Sequence, residues 1–439
     1  MKIFRVQKLT KIIIDLKFSI LILALIAFAS SFGSFIEQGE SISFYKENYP
    51  IETPIYGFIN YQLIITLGLN NVYSTWWFLL LLLILGISLI GCTLTRQFPL
   101  LENSKDFSFR KQEKSFENLP FSIKLKRNFY LKETILLRLQ ELNLYLYQRD
   151  NVIYGYKGLI GRISPILVHV SLIIILSGAT LGAFKNFKAQ EILPKGEVFH
   201  IQNTLNVGRL TTIPNITTRV NDFWVEYKNN KINQFYSNLS ILDNFGNELK
   251  NQTISVNNPI RFKNVDFYQS DWDLIGIRLK NNKTQKIYEY PVFPLRKGMK
   301  AWVTWISDSN NITALVFDQL ENTFSTYNEN GKFIEIKNIG DFITPTYTLI
   351  DILPATGLLI KYDPSIQLIY AGFALLMLTT LLSYLPYTQI WVLENNKHIW
   401  IGSSTNRGKI QLEIEFENLI RELENKMYQS IFIKKKKKT

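Results

Sequence analysis

A histidine lies inside an apolar stretch that is long enough to cross a membrane, and this combination constrains the chain more than any other feature. Residues 163–184 contain no Lys, Arg, Asp or Glu, and a helix needs about 20 such residues to span the hydrocarbon core. His169 lies within this stretch. A polar ring at membrane depth is costly unless it finds a partner, so an intramembrane histidine is a candidate functional residue.

Three further stretches share this length and apolar character. We therefore predict an integral membrane α-helical protein with four transmembrane helices, at residues 18–36, 76–94, 163–184 and 366–385. The first stretch is longer than the apolar core of a typical signal peptide and has no evident small-x-small cleavage site. We expect it to be a retained anchor.

The charges that flank these stretches indicate an orientation. Residues 1–17 and 95–162 are strongly basic, whereas residues 37–75 carry four glutamates against one lysine. Short basic segments remain on the cytoplasmic side of a membrane. The cytoplasmic or stromal side is thus predicted to hold residues 1–17, 95–162 and 386–439, and the opposite side residues 37–75 and 185–364.

This topology also explains the formal net charge of +13. The Lys and Arg residues are dispersed and are not gathered with stacking aromatics, so nucleic acid is not an expected partner. The lysine run at residues 434–438 is either a solvated tail or a contact for anionic membrane lipid.

The segment 185–364 is large enough for a domain of its own. Short runs rich in β-branched and aromatic residues alternate in it with Asn and Gly clusters, a pattern typical of an antiparallel sandwich or open barrel. The runs are residues 197–202, 223–227, 235–242, 275–279, 287–292 and 302–305. His200 is the only histidine in the segment, and we expect a structural role for it because metal sites need several converging ligands.

The segments on the predicted cytoplasmic side show no catalytic constellation. An amphipathic helix is predicted at residues 132–142, a strand at residues 410–416 and a helix at residues 417–427. Cys92 is the only cysteine, so no disulfide can form within the chain, and we expect Cys92 to act as a small apolar residue.

The helical face around His169 suits a planar, apolar, metal-centred ligand. Gly178 and Gly182 lie on roughly the opposite face, where small residues let another helix approach closely. The residues that share the face of His169 are Pro165, Leu172, Ile173 and Leu176. An imidazole on such a stripe could be an axial ligand of haem iron. The alternative is a neutral histidine that forms a hydrogen bond with a hydroxyl or carbonyl on a neighbouring helix.

Two other features near the predicted spans have competing explanations. Arg162 could pair with a carboxylate such as a haem propionate, or it could be a positive-inside anchor. Ion translocation is disfavoured because no acidic side chain lies in any of the four predicted spans and no amide side chain lies in the first three. Asp363 and Pro364 fit an N-cap and a first helical position better than a catalytic role.

Several motifs, taken as a set, resemble the ResB/CcsB-type proteins of system II cytochrome c biogenesis, in the version found in plastids and cyanobacteria. The motifs are residues 72–78 (VYSTWWF), 92–97 (CTLTRQ), Gly161-Arg162, His169, residues 177–179 (SGA), residues 356–361 (TGLLIK), Asp363-Pro364, residues 384–387 (YLPY) and Trp391. The resemblance covers nearly the whole chain, including the large segment between the third and fourth spans. One departure is Ser365, where many relatives carry Gly.

The resemblance implies a thylakoid-type membrane protein that works with a CcsA-type multispan haem-handling protein. Together they would move haem b to the lumenal side, keep it reduced and present it to apocytochromes c. The single intramembrane histidine of the family matches His169, which implies an axial haem ligand at that position. The haem-handling WWD motif belongs to the partner, and Trp272-Asp273 of this chain is not its equivalent.

Three functions therefore compete. The first is a haem-holding subunit of the cytochrome c synthetase complex, not catalytic alone. The second is a membrane-anchored sensor or assembly scaffold that acts through its outer domain. The third, an electron-transfer subunit with permanent haem, is disfavoured because bis-imidazole haem needs two histidines in one bundle. Enrichment in Ile, Asn and Lys, with no Ser- and Arg-rich transit segment before the first span, favours a plastid-encoded thylakoid protein over one of a bacterial cytoplasmic membrane.

Overall fold

The computed structural model describes residues 11–105, 109–127, 131–228, 231–296, 299–308, 311–320 and 323–436. The chain divides into two compact units. The first unit comprises Met1–Ser31, Trp76–Thr180 and Ile366–Thr439. The second comprises Phe32–Thr75 and Leu181–Ser365.

Most helices lie in the first part of the chain, and most strands lie between the helices Ile160–Lys185 and Ile366–Leu382. The helices are α1 (Leu16–Phe35), α2 (Ile42–Asn48), α3 (Tyr61–Leu67), α4 (Trp76–Cys92), α5 (Phe98–Lys105), α6 (Lys114–Glu117), α7 (Leu131–Glu141), α8 (Ile160–Lys185), α9 (Ile366–Leu382) and α10 (Lys409–Lys436). A 3₁₀ helix spans Leu69–Ser74, and a π-helical turn at Thr93–Gln97 joins α4 to α5.

The strands are β1 (Phe121–Lys126), β2 (Tyr145–Arg149), β3 (Val152–Lys157), β4 (Phe187–Pro194), β5 (Val198–Phe199), β6 (Thr204–Val207), β7 (Thr217–Lys228), β8 (Lys231–Leu242), β9 (Glu248–Ser255), β10 (Ile260–Phe262), β11 (Val265–Asn281), β12 (Ile287–Pro291), β13 (Phe293–Pro294), β14 (Trp302–Asp308), β15 (Asn311–Phe317), β16 (Thr323–Tyr327), β17 (Phe333–Asn338), β18 (Tyr347–Tyr362), β19 (Thr388–Glu394) and β20 (His398–Thr405). Most of them lie in the second unit.

Three helical segments of the described chain are long and apolar enough to cross a membrane. They are Leu16–Phe35, Trp76–Glu102 and Ile160–Lys185. The fourth predicted span is also helical, but α9 is shorter, at 17 residues. The structure thus has three membrane-length helices, a shorter apolar helix and a large β-rich domain.

The second unit contains that β-rich domain, which has three antiparallel sheets. The central sheet has the order β10-β11-β18-β4-β6, with β12 beside β11; the others have the orders β13-β14-β15-β16-β17 and β5-β7-β8-β9. The central sheet shares one hydrophobic core with the four-stranded sheet and a second core with the five-stranded sheet. Of the predicted strands, only the one at residues 197–202 is much shorter than expected, since β5 has two residues.

Turn chemistry sets the boundaries of several strands. In the turn between β8 and β9, the Asp243 carboxylate accepts hydrogen bonds from the backbone amides of Phe245 and Asn247. Gly246 has a φ of +86° there, a conformation that glycine adopts without steric cost. Such turns set the register of the hairpin. The register matters because successive side chains of a strand point to opposite faces of the sheet.

The first unit contains a further sheet, here called the first-unit sheet, which has five antiparallel strands in the order β1-β20-β19-β3-β2. Its strands come from two segments, residues 121–157 and residues 388–405. Helices α7 and α10 pack on one face around Ile135, Leu139 and Leu423. The other face is aromatic, with Tyr154, Trp391 and Phe116 buried. Helix α7 confirms the predicted amphipathic helix.

The strand predicted at residues 410–416 is wrong, because this segment forms the beginning of α10. Its apolar residues alternate, which suggested a strand, but Ile410 and Ile414 are exposed. The buried positions follow helical spacing instead: Leu412, Phe416, Leu419 and Leu423.

Candidate functional site

His169 lies in α8 and contacts two polar side chains of the helical segment Trp76–Glu102. Its Nδ1 is 2.9 Å from the Thr93 hydroxyl, and its Nε2 is 3.2 Å from Nε2 of Gln97. Both ring nitrogens therefore have a partner on a neighbouring helix.

The π-helical turn at Thr93–Gln97 brings both partners to one imidazole. A π turn contains one more residue than an α turn and is frequent at functional sites. Thr93 opens the turn and Gln97 closes it. Their side chains hold the ring of His169 from two sides.

The hydrogen bonds select one tautomer of His169. The Thr93 hydroxyl donates its proton to the Leu89 carbonyl at 2.8 Å, so its oxygen accepts from Nδ1–H of the imidazole. The Gln97 amide nitrogen then donates to Nε2. The unprotonated nitrogen is Nε2, and a neutral imidazole binds a metal through its unprotonated nitrogen.

Arg162 lies seven residues before His169 on α8, which is two helical turns, so both residues are on the same face about 10 Å apart along the axis. Its guanidinium carbon lies 5.5 Å from the centre of the Tyr387 ring. Its Nε is buried and has no hydrogen-bond partner in the described part of the chain. No ion pair joins Arg162 to any carboxylate of the described residues. A cation in this state can bind an anion without first releasing a carboxylate.

Two glycines hold the start of α8 against the segment that follows α9. A Cβ on Gly158 would lie 2.0 Å from the Pro386 carbonyl oxygen, and one on Gly161 would lie 1.9 Å from that of Leu385. Only glycine permits this backbone contact, and Gly158 also has a positive φ of +78°. The contact places Arg162 beside Tyr387.

The predicted close approach of another helix on the glycine face is also observed. A Cβ on Gly178 would lie 2.7 Å from Cγ1 of Ile369 on α9, and one on Gly372 would lie 2.7 Å from Cγ1 of Ile175. Each of the two helices thus packs an isoleucine side chain against a glycine of the other helix. This packing leaves the His169 face of α8 for other contacts.

The sequence prediction missed Thr93 and Gln97. We expected no amide partner in the spans because the second span was predicted to end at residue 94. The helical path continues through the π turn to Glu102, and this brings the Gln97 amide to His169. The signal was present as two polar residues four positions apart at the end of an apolar run.

The structure also places His200 and Cys92. His200 is near the Thr217 hydroxyl, 3.4 Å from Nδ1. No group of three or more His, Cys, Asp or Glu side chains among the described residues could hold a metal ion, and Cys92 is a half-buried free thiol.

Trp272 belongs to a hydrophobic core of the β domain, and Asp273 is half-buried beside it. Trp272 is 9% exposed, and its ring centre lies 4.9 Å from that of Trp302. The Trp302 indole N–H donates to Asp273 at 2.7 Å. Both residues stabilise the packing between sheets.

Asp363 accepts hydrogen bonds from the backbone amide of Ser365 at 3.0 Å and from its hydroxyl at 2.5 Å. This is the capping geometry predicted before the fourth apolar helix. Ser365 adds a hydroxyl contact that glycine could not make.

The sequence comparisons agree with this architecture. The model of the ResB-like family matches residues 16–310 and again residues 303–417. The chain belongs to the ResB-like family. The cytochrome c biogenesis protein Ccs1 of Thalassiosira pseudonana is 46% identical over 422 residues, which cover 94% of this chain and all of the relative.

The similarity extends to a cyanobacterium and to another Ccs1. The cytochrome c biogenesis protein CcsB of Crocosphaera subtropica is 39% identical and covers 95% of both chains. Ccs1 of Pyropia yezoensis is 39% identical over 93% of this chain and 94% of the relative. The names of these relatives connect the ResB-like family with cytochrome c biogenesis.

Proposed function

We propose that this chain is a membrane subunit of a system II cytochrome c synthetase complex, in which it holds haem in transit and helps present it for attachment to apocytochromes c. Haem is the transported substrate here, bound as haem b before attachment. The names of the relatives support a role in cytochrome c biogenesis, and the geometry around His169 supports haem as the transported molecule.

The observation that carries the proposal is the pair of hydrogen bonds at the His169 ring, from which we assign its tautomer. Thr93 accepts from Nδ1–H, so Nε2 carries the free electron pair that an iron atom requires. The ring stands between apolar helices, as the body of a porphyrin requires. His169 Nε2 is therefore the proposed axial ligand.

Arg162 is the proposed partner of a haem propionate. The guanidinium lies on the same helical face as His169, and it has no carboxylate partner among the described residues. The guanidinium also forms a cation–π contact with the Tyr387 ring, whose centre lies 5.5 Å from the guanidinium carbon. A propionate could therefore form a charge-assisted hydrogen bond without displacing another acid.

The proposed topology has four transmembrane helices, with α9 as the last. A length of 17 residues is at the lower limit for a span. The compact units support this topology, because one contains residues 37–75 with the β domain and the other contains residues 95–162 with the tail. We place the β domain in the thylakoid lumen of a plastid, or outside the cytoplasmic membrane if the protein is bacterial.

The proposed partners are a CcsA-type multispan haem-handling protein and apocytochromes c. In this proposal the chain holds haem while the covalent chemistry takes place in the complex. The β domain offers a large surface on the side where apocytochromes would arrive.

A second function is favoured by one specific observation. Both ring nitrogens of His169 already have partners, and such bonds could serve only to hold two helices together. In that case the chain is a sensor or assembly scaffold that acts through its β domain.

The two functions are separated by a haem spectrum of the full chain, purified with its multispan partner as wild type and as His169→Ala. Haem ligation predicts that the variant retains less than a tenth of the haem while its membrane level is unchanged, and that added imidazole restores the low-spin spectrum. Equal haem in both proteins, with normal cytochrome c maturation, would favour the scaffold.

A further inference from the structure

We propose that the Gln97 amide occupies the iron-binding side of His169 in the haem-free protein and moves away when haem binds, whereas Thr93 remains on the opposite nitrogen. This inference rests on the proposed function. It assigns Gln97 as a gate and Thr93 as a positioning residue for haem ligation.

Gln97 and an iron atom compete for one position. The amide nitrogen lies 3.2 Å from Nε2 of His169, on the side of the free electron pair. Metal–imidazole bonds are about 2 Å long. No space remains for both, so haem can reach Nε2 only after the Gln97 side chain has left.

In the conformation that contacts His169, the Gln97 side chain lacks a hydrogen bond that it could make elsewhere. Its departure is therefore easy. Its Oε1 is buried and has no hydrogen-bond partner among the described residues. A buried acceptor without a donor destabilises the conformation that holds it. When Gln97 moves, its carbonyl oxygen can reach water or a polar group of the ligand, and the imidazole exchanges a weak donor for a metal.

The π-helical turn supplies a path for this movement. Gln97 is the last residue of the turn and Thr93 is the first. Conversion of the π turn to an α-helical turn changes the helical register after the extra residue. The side chain of Gln97 would then rotate about the helix axis, while Thr93 would keep its place beside Nδ1.

Thr93 is suited to remain in place because two bonds hold it. Its hydroxyl donates to the Leu89 carbonyl at 2.8 Å and accepts from His169 Nδ1–H at 2.9 Å. Metal-bound histidines usually donate their second N–H to such an acceptor, which orients the ring and increases its basicity.

Two substitutions at Gln97 provide the test, each in the full chain co-expressed and purified with its multispan partner. The readouts are haem retained per protein and the rate of haem transfer to apomyoglobin. Gln97→Ala is expected to increase retention about three- to tenfold, since it removes a competing hydrogen bond. Gln97→Glu is expected to decrease retention, because a carboxylate at that place favours a proton on Nε2.

A pair of threonine variants provides the matched control. Thr93→Val is expected to decrease haem retention about tenfold or more and to shift the spectrum of the reduced haem. Thr95→Val should have no effect on either readout. Thr95 is in the same π turn and donates to the Gly91 carbonyl at 2.7 Å, but it is exposed and makes no hydrogen bond with His169.

The outcomes distinguish this inference from the proposed function. If His169→Ala retains as much haem as wild type, the proposed function fails and the inference fails with it. If His169→Ala loses haem but Gln97→Ala leaves retention unchanged, only the gate is refuted. Changes in the same direction in Gln97→Ala and Gln97→Glu would show that Gln97 serves packing alone.

Discussion

Two polar clusters, a buried one in the second unit and a half-buried one in the first, use a glutamine in opposite ways. In the β domain, Gln269 Oε1 accepts from the hydroxyls of Ser237 at 2.5 Å and Thr356 at 2.8 Å. Its amide nitrogen donates to the Asp271 carbonyl at 2.8 Å. Between the apolar helices, Gln97 donates to His169, but its Oε1 has no partner among the described residues.

The difference indicates which cluster is structural and which is a site. Ser237 lies on β8 of the four-stranded sheet, whereas Gln269 and Thr356 lie on the central sheet, so the first cluster joins two layers. A closed network of this kind fixes one conformation. In an open network, such as that of Gln97 and His169, a ligand can replace one of the hydrogen-bond partners. The contrast predicts that disruption of the first cluster affects stability and that disruption of the second affects haem.

The largest expected effect is on the closed cluster. Gln269→Leu should lower the free energy of unfolding by about 2–4 kcal/mol, because two fully buried hydroxyls lose their acceptor. Thermal unfolding of the purified full chain measures the change. Gln97→Leu is the matched variant and should leave the unfolding temperature nearly unchanged. Equal destabilisation by both variants would remove the contrast between the clusters.

A second prediction concerns the backbone contact that positions the open site. Gly161→Ala should lower the free energy of unfolding by about 1–3 kcal/mol, since its Cβ would lie 1.9 Å from the Leu385 carbonyl oxygen. Haem retention should fall as well, because Arg162 moves with the helix start. Gly86→Ala is the control, with its Cβ 4.0 Å from Leu176. If Gly161→Ala behaves like this control, the contact does not position the site.

The first unit offers a similar contrast between charged groups, in which Glu394 is paired and Arg162, within the described part of the chain, is not. Glu394 is bound by two cations, Arg127 at 2.8 Å and Lys132 at 3.0 Å, and its side chain is 16% exposed. Burial alone would raise the pKa of Glu394, but Lys132 and Arg127 outweigh it and hold the pKa below the usual 4.5. Glu394→Gln should therefore destabilise the first-unit sheet by about 1–2 kcal/mol at neutral pH.

The pH dependence of that effect follows from linkage. Because the pKa is lower in the folded protein, the carboxylate stabilises the fold above the unfolded pKa, and the contribution disappears as the pH falls through the folded pKa. Thermal unfolding of wild type and Glu394→Gln should thus differ at pH 7 and converge as the pH falls below 4.5 and through the folded pKa. A difference that persists at low pH would show that packing, and not charge, is responsible.

The smallest expected effect is at the open cation. Arg162→Gln should change the unfolding temperature little, because no carboxylate of the described residues depends on it. It should lower haem retention about three- to tenfold, which corresponds to one charge-assisted hydrogen bond. Arg162→Lys should recover part of the loss. Strong destabilisation without loss of haem would make Arg162 a structural anchor.

The sequence by itself determined the elements whose signal is local. Apolar runs predicted the membrane-length helices, Asn and Gly clusters predicted the turns of the β domain, and the polar ring inside an apolar run identified His169. The motif set indicated the family that the comparisons show. Each of these depends on residues that are neighbours in the chain.

Only the tertiary structure decided which residues meet. Thr93 lies 76 positions from His169, and its contact depends on a π turn that hydropathy does not reveal. The first-unit sheet joins strands from residues 121–157 with strands from residues 388–405. Residues 410–416 at the start of α10 were predicted as a strand because their apolar residues alternate, whereas the helix predicted at residues 417–427 is confirmed. Periodicity describes one element at a time, whereas burial and hydrogen bonding depend on the element that packs against it.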